Sequence, residues 1–350
     1  MEHLDNTLFD WFEIWNQSFS PVYSEIVNRH RGSETEAQED IRRINQKART
    51  SEYSFLLEDL AKLHVLEFNG EVRDAFSSAL NKSRDARSAS IKLYPTILES
   101  LWKIKNRGVK IIAYTESMGF YSGYRLKRLG LDGVIDIMFC PEDHDTPVGA
   151  SVSRLRSRPE DAYELQVTQV MHTPRGELKP NAKVLRKIID DVGASITRCI
   201  YVGDSLFKDV VMARDCGVLD VYAKYGESQK RPEYELLRKV SHWTDEDVDR
   251  ERKIVEHGID FTPTITLKNH FSEIFDHVEF KEFSKAGSEE YSNQELIEVD
   301  KINFEIWKKG VEVHQHFNDL ELRIRNYAIT ITGALVARAI AFGFSRPSSH

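Results

Sequence analysis

The sequence predicts an α/β fold: a doubly wound parallel sheet, a run of helices near the N-terminus, and a helical tail at the C-terminus. Three observations carry that expectation. Short apolar runs such as Ile111-Ile112-Ala113-Tyr114 and Ile200-Tyr201-Val202 show no polar alternation, as strands covered on both faces require. Each such run follows a helix with one apolar stripe, which is the rhythm of a parallel sheet. Residues 8 to about 90 instead keep helical spacings throughout.

In chain order, LFDWFEIWNQSF places Trp11, Phe12, Trp15 and Phe19 on one aromatic face, read as part of a helical bundle. EAQEDIRRINQKA and the segment around YSFLLEDLAKLHVLEF continue as helices. Tyr94-Pro95 opens the helix TILESLWKIKNRG, with Ile97, Leu98, Leu101, Trp102 and Ile104 inward and Gly108 as its stop. Residues 109–114 then read as a strand, and YSGYRLKRLGLDGVIDIMFC as a further helix and strand. YELQVTQVMHTPRGE breaks the rhythm and is expected to be a hairpin near the sheet edge. PNAKVLRKIIDDVG, Cys199–Val202, SLFKDVVMARDCG and Leu219–Tyr222 complete the helix–strand alternation. The expected division is a sheet domain from 1–9 and 91–240, a helical segment at 10–90, a helical extension at 241–284, and a linker with a long helix at 285–350.

At roughly 150 residues per domain, 350 residues allow two or three folding units. Forty-eight basic against 56 acidic side chains give a net charge of -8, so the chain has no overall attraction for nucleic acid. Any phosphate it binds is to be met at a local site. Cys140, Cys199 and Cys216 are too few and too scattered for a disulfide scaffold or a metal knuckle, which fits a reducing, cytoplasmic setting.

Ligands of parallel α/β sheets sit where strands end. There the sequence supplies Leu4-Asp5-Asn6-Thr7, Thr115-Glu116-Ser117, Lys179 before Pro180, and Gly203-Asp204-Ser205 with Asp209 one helical turn on. A dianionic phosphoryl group needs a fixed ammonium (Lys179), a hydroxyl with nearby backbone N–H groups (Thr115, with Glu116 beside it), and a hard cation. Magnesium takes oxygen ligands and few carboxylates, a role suited to Asp204 and Asp209. Taken singly, these residues have plainer explanations: Asp5 as a helix N-cap, Thr115 as a strand-end hydroxyl, Asp209 as a solvated helix residue.

Together and in this order, HLDNT, IIAYT, ELKP and GDSLFKD resemble the haloacid dehalogenase superfamily of phosphohydrolases over about residues 3 to 230. The resemblance implies a HAD-like Rossmannoid core with an inserted helical cap at 10–90, and magnesium-dependent hydrolysis of a small phosphorylated metabolite through an aspartyl phosphate. It assigns Asp5 as general acid/base and metal contact, Thr115, Glu116 and Lys179 as phosphate contacts, and Asp204 and Asp209 as metal residues. One position departs from the pattern: His3 stands where the family has its nucleophilic Asp. Only Met1 and Glu2 precede it, against a central strand of about five residues in a typical sheet. Either the native start lies upstream and this N-terminus is altered, or the domain has lost its nucleophile. In the second case it is a phosphate-binding or sensor domain.

The tail carries its own expectation. Residues 327–344 are apolar on nearly every face apart from Arg338, and are about long enough for a spanning helix. They are read as an anchor in the cytoplasmic membrane, with the alternative of a terminal helix packed against the protein or a partner. On a third view the tail is primary and the soluble part docks onto a membrane assembly.

Overall fold

A computed structural model describes residues 1–143, 159, 162–174, 176–257 and 262–285. The linker and the 327–344 segment lie outside the described residues. Among those that are described, no helix is long and apolar enough to cross a membrane.

The sheet is built from two parallel triplets. β1 (Ile112–Tyr114), β2 (Ile137–Pro141) and β3 (Gln169–Thr173) form one; β4 (Ile200–Gly203), β5 (Leu219–Ala223) and β6 (Ile265–Leu267) form the other. Met1–His3 joins them. Glu2 donates to Ile112 O at 2.9 Å and accepts from Tyr114 N, while His3 N donates to Val202 O at 2.8 Å. Glu2 thus bridges Ala113 on one side and Val202 on the other, both in parallel sense. The spatial order is β3-β2-β1-(1–3)-β4-β5-β6. Residues 1–3 thus take the central position of the sheet, held by backbone bonds to both neighbours.

Side-chain alternation along these strands feeds two cores, as a sheet covered on both faces requires. Ala113, Met138, Cys140, Val202 and Val221 pack with Ile97, Leu101 and Ile104 of α6 (Ile97–Lys105) and Leu126 of α7 (Gly119–Arg128). Ile112, Tyr114, Ile137, Phe139 and Tyr201 point the other way. They meet Val184, Leu185, Ile188 and Ile189 of α8 (Ala182–Asp191) and Met212 and Ala213 of α9 (Val211–Cys216). Asn181 caps α8 by accepting from Val184 N at 3.1 Å.

Between the first strand and β1 lie α1 (Trp11–Arg29), α2 (Glu34–Ala48), α3 (Leu56–Lys62), α4 (Val72–Ala75) and α5 (Ser77–Ser90). Asp10 caps α1 through Glu13 N, and Ser33 with Glu36 forms a complete capping box on α2. Their core holds Phe12, Trp15, Ile26, Ile41, Leu57, Leu60 and Phe76, and also Tyr234, Leu237 and Val240. Those last three belong to α10 (Tyr234–Val240), which lies with α11 (Asp245–His257) between β5 and β6.

Two expectations change here. The segment around 169–173 is no hairpin but the parallel edge strand β3, paired with β2 from Gln169 to Thr173. Its exposed run shows too little apolar alternation to reveal its partner. The 241–284 stretch is not wholly helical: after α11 the chain returns to the sheet as β6, because Ile265 and Leu267 are buried against β5.

Candidate active site

The first strand and β1 and β4 end side by side, so the residues that follow them share one cleft of about 380 Å3. His3, Asp5, Glu116, Lys179, Asp204 and Asp209 all line it. Two glycines allow the approach. A Cβ on Gly203 would stand 2.4 Å from Asp209 Cγ, and one on Gly226 would stand 1.7 Å from Asn6 O.

Lys179 is the hub. Its ammonium, 1% exposed at the side chain, lies 3.0 Å from Asp209 Oδ1. It donates to Tyr201 Oη at 2.7 Å and lies 2.8 Å from His3 Nδ1 and 3.2 Å from Tyr114 O. Asp209 Oδ2 accepts from Ser205 N at 3.1 Å. Burial pushes the Asp209 carboxyl up, but the Lys179 charge outweighs it and holds it below its ordinary range. Burial, then the Lys179 charge, lowers His3 from its ordinary 6.5 and favours the neutral imidazole. His3 Nδ1 also lies 3.1 Å from Tyr114 O, so it either accepts from Lys179 or donates to that carbonyl, and the tautomer follows the choice.

Asp5 is held differently. Its Oδ2 accepts from Thr115 Oγ1 at 2.8 Å and Ser117 Oγ at 2.7 Å. Its Oδ1 faces Arg125 Nη1 at 3.5 Å. Arg125 is 1% exposed and its other nitrogen bonds Glu52. The Thr115 hydroxyl therefore serves Asp5 in this state. Glu116 accepts from Lys179 N at 2.6 Å with one oxygen and from Lys208 Nζ at 2.9 Å with the other. Burial raises its pKa, yet Lys208 and Lys179 hold it down to about 2. Glu116 is thus a clasp between two loops, both oxygens occupied by protein donors.

Asp204, 5% exposed, has no side-chain donor among the described residues. Burial first, and then the Asp209 charge, raises its pKa well above the usual carboxylate range. A buried acid beside an ionised one is an arrangement that a cation relieves. Ligand atoms of His3, Asp204 and Asp209 lie within 4.8 Å of one another, and this trio fits a divalent ion. Asp5, expected among the metal residues, is not in that group: its carboxylate faces Thr115 and Ser117 instead. The fit carries one nitrogen donor at the His3 corner, where a hard ion favours oxygen.

The sequence had no signal for Arg125, Glu52 or Lys208, whose partners lie far away along the chain. Ser117 could have been found as the hydroxyl two places after Thr115. Trp11, expected in the cap core, lines the cleft and donates to Glu52 at 3.0 Å. The β5–β6 segment contributes His242 and Trp243 to the same wall. Asn45 Nδ2 donates to Val240 O at 2.7 Å, Gln46 Nε2 to Trp243 O at 3.1 Å, and Ser51 Oγ meets His242 Nδ1 at 3.0 Å.

A curated relative, the glyceraldehyde 3-phosphate phosphatase of Methanopyrus kandleri, is 22% identical over 180 residues, 51% of this chain and 62% of that protein. The chain thus matches less than two thirds of that relative's length. Similar solved structures include a HAD phosphatase from Thermococcus onnurineus (19% identity, 68% of this chain and 94% of that one, TM-score 0.38). A 2-haloacid dehalogenase from Pseudomonas syringae pv. Tomato is 14% identical over 79% of this chain and 95% of its own, with a TM-score of 0.40. The model of the haloacid dehalogenase-like hydrolases matches residues 4–217, more than half of the 350. The chain belongs to the haloacid dehalogenase-like hydrolase family.

Proposed function

We propose that this domain recognises a small phosphomonoester in the Lys179–Asp204 cleft, and that His3 withholds the covalent step by which such a site hydrolyses it. The observation that carries this is the convergence of Lys179, Asp204 and Asp209 on His3 at the end of the central strand. A buried ammonium and strand-end backbone N–H groups suit a phosphoryl dianion. Hydrolysis through an aspartyl phosphate needs a carboxylate oxygen at position 3 to attack phosphorus while the alkoxide leaves with a proton. Asp5, seated next to Thr115 and Ser117, is the group placed to give that proton and later to take one from water. Imidazole supplies no such oxygen, so the acyl phosphate cannot form.

Asp204 and Asp209 would hold the magnesium the reading calls for, with position 3 completing the set. The ion, when bound, draws charge from the phosphoryl oxygens. On this reading the helices of 11–90 act as the cap, and Trp11 and Trp243 shape the space beyond the phosphate.

The test is His3→Asp, assayed with p-nitrophenyl phosphate and magnesium. The variant is expected to turn over at least about a thousandfold faster than the native chain, whose background reflects loss of a nucleophile. The native chain is expected to be stabilised against heat by inorganic phosphate. Native turnover within tenfold of the variant, with an acid-labile phosphate on His3, would overturn the dormant-site reading. No thermal response to phosphate would overturn the recognition itself.

A further inference from the structure

We propose a second anion-binding site beneath the helical insertion, separate from the Lys179 cleft. A cavity of about 540 Å3 lies between α1, α3 and α5 on one side and α7 on the other. Arg84 and Arg87 enter it from α5, three residues apart and so on one helix face. Arg73, which also lines it, is paired with Glu58, and Glu52 is paired with Arg125. Arg84 and Arg87 have no carboxylate within ion-pair distance among the described residues. Arg84 donates only to Asn81 Oδ1, at 3.1 Å. Arg87 Nε is buried without a hydrogen-bond partner, its guanidinium 5.4 Å from the Tyr121 ring. The one unpaired acid on the wall is Asp85, exposed at its edge, so the cavity keeps a net positive charge.

Half-buried guanidiniums without counter-charges are costly, and a planar fork is the donor that carboxylates and phosphates match best. Phe19, Tyr121 and Tyr124 supply aromatic walls beside the two arginines. The ligand class is a small molecule with a phosphate or carboxylate group and a flat or apolar remainder. The site does not depend on the phosphatase reading. It is set apart by the Arg125–Glu52 pair, although Ser51 and Glu52 line both spaces.

Crystals of the full chain soaked in tungstate are expected to show anomalous density between Arg84 and Arg87 as well as beside Lys179. The Arg84→Gln/Arg87→Gln variant is expected to lose the first peak and keep the second. Calorimetric titrations with inorganic phosphate and with malonate distinguish a phosphoryl from a carboxylate ligand. The preferred anion is expected to bind at least tenfold more weakly to the double variant at this site. Density at Lys179 alone in the native chain, or binding unchanged in the variant, overturns the proposal. Density at the arginines without any at Lys179 upholds it and counts against the phosphomonoester reading alone.

Discussion

Glu2→Gln should stabilise the fold, and by an amount that depends on pH. Glu2 sits in the central strand at 3% exposure, and its Oε1 is buried without a hydrogen-bond partner. Burial raises its carboxyl from the ordinary 4.5 to about 7, with the Met1 ammonium pulling weakly the other way. The folded chain therefore holds a proton that the unfolded chain has released. Stability from this group is complete below 4.5 and lost as pH rises through about 7. At about 1.4 kcal/mol per pH unit, that loss is about 3 kcal/mol. Glutamine keeps the shape and never ionises. Urea denaturation followed by circular dichroism should give near-equal midpoints at pH 4.5. By pH 8 the variant should be about 3 kcal/mol more stable. A difference that stays flat across this range would refute the argument, because every other titrating group is common to both chains.

Other tests probe the site's ion pairs. Lys179→Met leaves the Asp209 charge buried and unpaired and is expected to cost about 3–5 kcal/mol in urea melts. Adding Asp209→Asn should recover at least half of that loss. Glu116 is held down to about 2, so its contribution is present above 4.5 and lost as pH falls through about 2. Glu116→Gln is therefore expected to lower stability at pH 7 by about 2 kcal/mol, allowing for a partly exposed side chain, with the difference fading as pH falls towards 2 and gone below it.

What could be read from the sequence was local. Asp5, Thr115, Lys179 and Asp204 stand within short segments at or after strand ends, so pattern alone located them; the structure brings Asp5, Lys179 and Asp204 to one cleft, with Thr115 buried behind Asp5. Ile112 to Tyr114 and Ile200 to Val202 were legible because strands covered on both faces read as unbroken apolar runs. Non-local pairings were hidden. Arg125 looks like any helical arginine until Asp5, 120 residues away, is placed beside it. β3 escaped because Gln169 and Val170 are exposed, which erases the apolar signature. The contribution of α10 to the insertion's core depends on chain 195 residues beyond Asn45, a distance over which periodicity carries no information.

The hold of Asn45, Gln46 and Ser51 on residues 240–243 ties together two stretches of chain that leave the sheet at different points, one before β1 and one after β5. Ser51, His242 and Trp243 are themselves part of the cleft lining. That side of the cleft is one fabric woven from two threads, so a substitution in either thread is felt by the other.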